Sequence, residues 1–154
     1  MRIVDRLAPV IGVWKGVNRL RLLPTDHYRD SDATATVSIT AREYVTVAYT
    51  WSEGDEPQNG LLLVSSPDAE SDRAEAVWVD SWHCAPAWLA LSSAVGEDGV
   101  VRLLGSYAAP PGPDWGWEIH IDPGDGSGGR ITMHNQVPGE KSYQVVDLAL
   151  ERRD

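Results

Sequence analysis

Phenylalanine is missing from this chain, cysteine occurs once, and acidic residues outnumber basic ones by almost two to one. The single thiol, Cys84, excludes an internal disulfide and any multi-cysteine metal site. Lys plus Arg total 13 against 23 Asp plus Glu, a formal charge of −10, and the cations are not clustered. Nucleic-acid backbones and anionic membrane surfaces are bound by clustered Lys and Arg, so neither is expected as a partner. Long apolar runs are absent too. The longest, Gly60 to Val64, is strand-sized, far short of the roughly 20 residues of a membrane span. Met1–Leu7 alternates charged and apolar residues, with Pro9 close behind, and has no uninterrupted apolar stretch of the signal-peptide kind. A soluble cytoplasmic protein is therefore expected. What is there is 154 residues, 42% apolar, with 7 Trp and 5 Tyr, enough for a single domain over 1–154 with a full core.

Turn signals cut the chain at short intervals. They fall at Pro24–Asp32, Ala41-Arg42, Glu53–Pro57, Ser66–Asp72, His83–Pro86, Gly96–Gly99, Pro110–Asp114, Pro123–Gly129 and Pro138–Glu140, where Gly, Pro, Asn and Asp supply turn dihedrals. The nine interruptions leave ten segments of strand length, and residues 2–9 read as one or two helical turns stopped before Pro9. Residues 33–40 alternate apolar and hydroxyl side chains. Residues 44–51 set Val45, Val47, Tyr49 and Trp51 against Tyr44, Thr46, Ala48 and Thr50. Residues 115–121 set Trp115, Trp117, Ile119 and Ile121 against Gly116, Glu118 and His120, and the next segment sets Ile131 and Met133 against Thr132 and His134. No long segment of helical period appears, and short loops imply antiparallel neighbours. The expected fold is all-β: about ten antiparallel strands closed as an up-and-down barrel, since closure leaves no open edge.

The first strand carries Gly12-Val13-Trp14-Lys15-Gly16, a Gly-x-Trp-x-Gly opening in which the Trp plugs a barrel floor and glycines allow close backbone approach. Taken with Trp78-Val79-Asp80-Ser81-Trp82, the aromatic Trp115-Gly116-Trp117 and a last strand ending in Arg, it resembles a bacterial family of unknown function with a calycin-like barrel. Calycin-like barrels include lipocalins, fatty-acid-binding proteins and nitrobindin, so the resemblance implies a chamber for a small apolar molecule and no particular reaction. Nitrobindin holds haem through a histidine on its closing strands. Here Ser142 to Leu150 contains no histidine, and the nearest, His134, alternates onto the outer face, so haem is not expected and no cofactor is assigned.

Residues able to carry chemistry are few. Asp80 shares a strand face with Trp78 and Trp82; if that face is interior, its ionised form is disfavoured and it could act as acid or base, or it could be a structural hydrogen-bond anchor. His83 and Cys84 point to opposite faces of a continued strand and pair as base and nucleophile only across a turn. Asp80, Ser81 and His83 are too close in sequence for a catalytic triad. Glu118, His120 and Asp122 share one strand face, with His134 able to lie beside them; this suits a divalent metal or an ordinary solvated face. Gly124–Gly129 precedes a strand and not a helix, so it reads as a hairpin loop and not a phosphate cradle.

The proposed interior includes Trp14, Leu20, Leu22, Val37, Ile39, Trp51, Trp78, Trp82, Trp88, Trp115 and Trp117. Trp14, Asn18, Tyr49, Trp51, Trp78, Asp80, Trp82, Tyr107, Trp115 and Trp117 are the candidate ligand-binding residues: indole walls with a few polar groups have the composition of a pocket. The leading functional expectation is non-catalytic binding of a small apolar or aromatic molecule inside the barrel. An isomerase or lyase using Asp80 is one alternative. The other is a filled structural barrel that dimerises through Leu61-Leu62-Leu63-Val64, both of whose faces are apolar.

Overall fold

Period-two patterning and short turns give the chain ten consecutive strands, each hydrogen-bonded to the next. A computed structural model describes residues 1–94 and 96–153. Its strands are β1 (Gly12–Leu20), β2 (Arg29–Thr40), β3 (Tyr44–Glu53), β4 (Glu56–Ser65), β5 (Arg73–Asp80), β6 (Leu89–Ala94), β7 (Val101–Tyr107), β8 (Trp115–Asp122), β9 (Gly128–Gln136) and β10 (Tyr143–Arg152). All neighbours are antiparallel, and β1 pairs with β10 from Trp14–Arg152 to Leu20–Val146, closing the barrel. This is the ten-stranded up-and-down architecture expected from the sequence. A helical turn α1 (Ile3–Arg6) and a one-turn 3-10 helix (Ala8–Val10) precede it; Pro9 lies inside the second turn instead of ending the first.

The turn signal at Pro24–Asp32 is corrected at its far end, because β2 begins at Arg29. Asp30 and Asp32 point to solvent there, Arg19 reaches Asp30 across the ladder at 3.7 Å, and pairing with β1 overrides the turn preference of the acids.

One end of the barrel is shut. Ile3, Leu7 and Val10 are buried beneath it, and Trp14 is wholly buried above them, its Nε1 donating to the Val10 carbonyl at 2.7 Å. Arg152 at the end of β10 lies over the Trp14 ring at 4.6 Å and donates to the carbonyls of Pro9, Ile11 and Gly126. One guanidinium thus ties the last strand, the N-terminal turns and the β8–β9 hairpin to the floor. Above the floor Val45, Val47, Leu62, Val64, Ala76, Leu103, Ile119, Ile121, Ile131 and Leu148 fill the interior. Of the residues expected inside, Leu22 is exposed beyond the end of β1, Ile39 is exposed at the end of β2, and Trp88 stands 75% exposed beyond β5.

In β4, Leu62 and Val64 face inward, whereas Leu61 is exposed outside beside Val79, its partner on β5, and near Val77. No helix among the described residues is long and apolar enough to cross a membrane.

Gly16 sits where β1 presses closest on β10. A Cβ there would lie 1.9 Å from the carbonyl oxygen of Ala149, a backbone atom that cannot turn aside. Gly16→Ala is therefore expected to cost about 3 kcal/mol, as overpacking between fixed backbones does. Urea denaturation checks this, and an unchanged midpoint would show that the β1–β10 closure has slack.

Candidate functional site

The open end is built around the last residue of β5. Asp80 is buried, and its carboxylate accepts four hydrogen bonds: from the Tyr49 hydroxyl (2.6 Å), Trp51 Nε1 (3.3 Å), and the backbone N–H groups of Trp82 (2.8 Å) and His83 (2.9 Å). Trp78 Nε1 donates to the Tyr49 oxygen at 2.8 Å, extending the network by one indole. The register explains how a side chain of β3 reaches one of β5. Tyr49, Gly60 and Asp80 lie in one row across β3, β4 and β5, and a Cβ on Gly60 would fall 2.2 Å from the Tyr49 hydroxyl. Glycine leaves the gap through which the tyrosine passes. Burial beside this carboxylate pushes the Tyr49 hydroxyl pKa well above its ordinary value.

The two backbone bonds to Asp80 start a turn at Ser81, two residues earlier than the sequence suggests. Trp82 therefore leaves the strand face it was expected to share with Trp78 and Asp80. His83 and Cys84, expected on opposite faces, are both brought to the barrel mouth. The His83 ring lies 5.6 Å from those of Trp51 and Trp78, 4.8 Å from Trp82 and 5.4 Å from Trp117. Burial lowers its pKa from 6.5, against the opposing pull of Asp80 and Glu53, so the ring is neutral at pH 7. Cys84 does not pair with it. Its thiol points at the carbonyls of Asp80 (3.8 Å) and Trp78 (4.0 Å), and burial raises its pKa, so it is not an activated nucleophile.

Above this turn lies a cavity of about 360 Å³, lined by Leu22, Trp78, Trp82, His83, Cys84, Ala87, Trp88, Leu89, Tyr107, Trp117, Asn135 and Val145. Trp78 and Trp117 stack at 5.5 Å with planes 9° apart. Beside Trp117, whose cross-strand partner is Asn135, the wall is strapped by a hydrogen-bonded chain: Tyr107 donates to Asn135 Oδ1 (2.6 Å), Asn135 Nδ2 to the Tyr143 oxygen (3.2 Å), and Tyr143 to the Leu22 carbonyl (3.1 Å). Among the described residues no Asp, Glu, Lys or Arg lines the cavity. Trp117 Nε1, in its wall, is buried without a partner. Below lies a void of about 10 Å³, the size of a single water, bordered by Asn18, Tyr49, Trp51, Asp80 and His83. Among the described residues the buried side chains thus pack the lower part of the barrel, and the mouth is hollow.

The candidate binding residues divide accordingly. Trp78, Trp82, Tyr107 and Trp117 line the cavity; Asn18, Tyr49, Trp51 and Asp80 lie in the layer beneath. Trp115 packs edge-on against Tyr107 at 6.3 Å, and Trp14 is at the far end, in the floor. Leu22 and Trp88, placed in the core by sequence reasoning, form the rim instead. His83, Cys84 and Asn135 were missed as lining residues; the readable signal was Asp80 itself, which as an Asp at a strand end captures the N–H groups two and three residues on.

The other candidate cluster lies on the outer face. His120 Nε2 is 2.9 Å from Glu118 Oε2, the His120 and His134 rings are 4.4 Å apart, and His134 Nε2 bonds the Thr132 hydroxyl at 3.0 Å. Asp122 instead accepts from the Gly124 N–H, within the hairpin expected there. Among the described residues no three His, Cys, Asp or Glu side chains are grouped to hold a metal ion.

Two measurements follow. Asp80→Asn swaps an all-acceptor group for one that must turn a donor toward existing donors, and is expected to cost about 3 kcal/mol; Tyr49→Phe is expected to cost about 2 kcal/mol. Urea titration checks both, and a negligible loss in Asp80→Asn would remove Asp80 from its place at the hub. The second concerns pH. The folded pKa of His83 lies below its unfolded value of 6.5, so the unfolded chain takes up the proton first. Stability is expected to be full above pH 6.5 and to fall as pH drops from there toward the folded value; burial of His134, with His120 adding, acts the same way. Asp98, held to about 2 by Arg102, loses its contribution only below 3.8, in a separate window. His83→Gln should flatten the decline below pH 6.5, and an unaltered slope would mean that the ring is not buried in solution.

No family model matches the chain, and no curated protein matches its sequence. The bacterial family suggested by the motifs therefore stays a resemblance. Solved structures do match. Rv2717c from M. tuberculosis superposes with a TM-score of 0.62 at 15% identity, over 98% of this chain and 97% of that one. The S-type phycobiliprotein lyase CPES from Guillardia theta gives a TM-score of 0.62 at 12% identity, over 100% of this chain and 93% of the lyase. At such identities the likeness is one of fold, and that fold is a lipocalin-like barrel.

Proposed function

We propose that this chain binds one small, flat, apolar or aromatic molecule at the mouth of its barrel, without transforming it. The carrying observation is the cavity: about 360 Å³, walled by Trp78, Trp82, Trp88 and Trp117, without Asp, Glu, Lys or Arg among the described residues that line it, above a layer whose void is of only about 10 Å³. That volume is at the small end of ligand pockets, and mostly apolar walls with a few polar groups are their usual lining. Two observations favour binding over catalysis. The Asp80 oxygens are committed to four donors below the cavity, and Cys84 lacks a base. The resemblance to a phycobiliprotein lyase is compatible with a barrel that handles small molecules; at 12% identity it names no substrate for this chain.

The uncharged fluorophore N-phenyl-1-naphthylamine is the probe. It is expected to bind once per chain, gain emission and quench the tryptophans. Ala87→Trp, on an exposed turn of the rim, should weaken it at least tenfold with the urea midpoint unchanged, because the new indole occupies the cavity. Non-saturable binding, or equal binding by Ala87→Trp, would sink the proposal.

A second reading, the homodimer, is favoured by the outward Leu61, Val77 and Val79 on adjacent strands, an apolar patch without an acidic residue among the three. Light scattering at micromolar concentration should then give twice 16.9 kDa, and the monomer mass would end this reading.

A further inference from the structure

The cavity wall is aromatic and aliphatic almost throughout, yet two side chains on it lack a protein hydrogen-bond partner: Trp117, whose Nε1 can only donate, and His83, which can also accept. His83 borders both the mouth cavity and the void below. Its ring is enclosed by four indoles, and its own backbone N–H is already fixed by Asp80. Among the described residues no protein group hydrogen-bonds either ring nitrogen, and neither belongs to the polar atoms sealed away unpaired. A neutral imidazole offers one N–H donor and one bare acceptor nitrogen. His83 is half-buried, so in the open cavity these nitrogens reach solvent, and a ligand that covers them must supply the bond that water no longer can.

Three properties of the missing partner can be read from the walls. It is flat, because the Trp78–Trp117 pair and the surrounding ring faces favour stacked or edge-on aromatic contacts. It is uncharged, because no Asp, Glu, Lys or Arg is present to compensate a buried charge. It carries a polar ring atom within reach of the imidazole. We infer that His83 is the specificity-determining residue of the cavity, and that the ligand is an uncharged flat heteroaromatic whose ring nitrogen or ring N–H bonds the imidazole. This rests on the mouth cavity being the binding site. Such a site rejects the hydrocarbon of the same shape, because that molecule covers the imidazole and leaves it unpaired.

Three bicyclic probes of matched size separate the possibilities: naphthalene has no polar ring atom, quinoline has an acceptor and indole a donor. Each is measured by displacement of N-phenyl-1-naphthylamine from the wild-type protein, His83→Phe and His83→Gln. His83→Phe is expected to weaken quinoline or indole at least tenfold more than naphthalene, and His83→Gln, which keeps a donor and an acceptor, to recover part of the loss. Whichever probe loses more identifies the imidazole as donor or acceptor. The wild-type protein provides a test that needs no variant: its His83 ring 15N resonances should shift with quinoline or indole and not with naphthalene. Equal weakening of all three probes, 15N resonances unmoved by any of them, or no displacement by any probe overturns the inference while leaving the cavity a binding site. Failure of the fluorophore itself to bind overturns the reading beneath it.

Discussion

The Asp80 carboxylate takes four donors from two stretches of chain, β3 and the turn after β5, and the upper half of the barrel is arranged around satisfying them. A buried carboxylate is tolerated only when its acceptor sites are filled. Meeting that requirement sends Tyr49 across Gly60, sets the Trp51 and Trp78 indoles, and bends the chain after β5 so that His83 and Cys84 face the mouth. The same bonds thus form the ceiling of the solid core and the base of the cavity above it. A methyl group on Gly60 would disturb both at once, by displacing the Tyr49 ring.

The absence of phenylalanine has a physical counterpart in this arrangement. Nearly every buried aromatic ring is used at its polar atom as well as at its face. Trp14 bonds the Val10 carbonyl, Trp51 and Tyr49 bond Asp80, Trp78 bonds Tyr49, and Tyr107 and Tyr143 strap the mouth. Phenylalanine could fill these volumes but would leave each acceptor short of a donor. Trp117 departs from the pattern, and it does so in the wall of the cavity.

The strands could be read from the sequence because each faces a dry interior on one side and water on the other, and period-two alternation records that difference locally. Val45, Val47, Tyr49 and Trp51 are buried as their alternation requires, and so are Trp117, Ile119 and Ile121. Alternation has nothing to say where a strand stops. It therefore carried Trp82 along the face of Trp78 and left the turn to begin at His83, whereas the turn starts at Ser81 because Asp80 caps the next N–H groups. The turn signal also made β2 begin too late, at residue 33; cross-strand pairing outweighs the turn preference of Asp30 and Asp32 and starts the strand at Arg29. A barrel with an indole-rich interior was legible; the division into a solid floor and a hollow mouth was not, because it depends on how far Tyr49, Trp51 and Trp78 reach across the barrel, and no local pattern encodes that distance.

Charge distribution narrows what can occupy the mouth. The formal charge of −10 arises from acids that stay outside the barrel, with Asp80 and Asp147 the buried exceptions among the described residues; the first is saturated with donors and the second is held by Arg130. The cavity itself is uncharged. An anionic ligand is repelled by the whole molecule during approach and finds no cation inside. A cation is attracted over the outer surface, but on entering it must give up its water to indole walls with no carboxylate facing them. Only a neutral ligand avoids both costs. The shell and the cavity thus select by opposite means, repulsion at long range and desolvation at short range, and they select the same class of molecule that the unpaired imidazole of His83 can recognise.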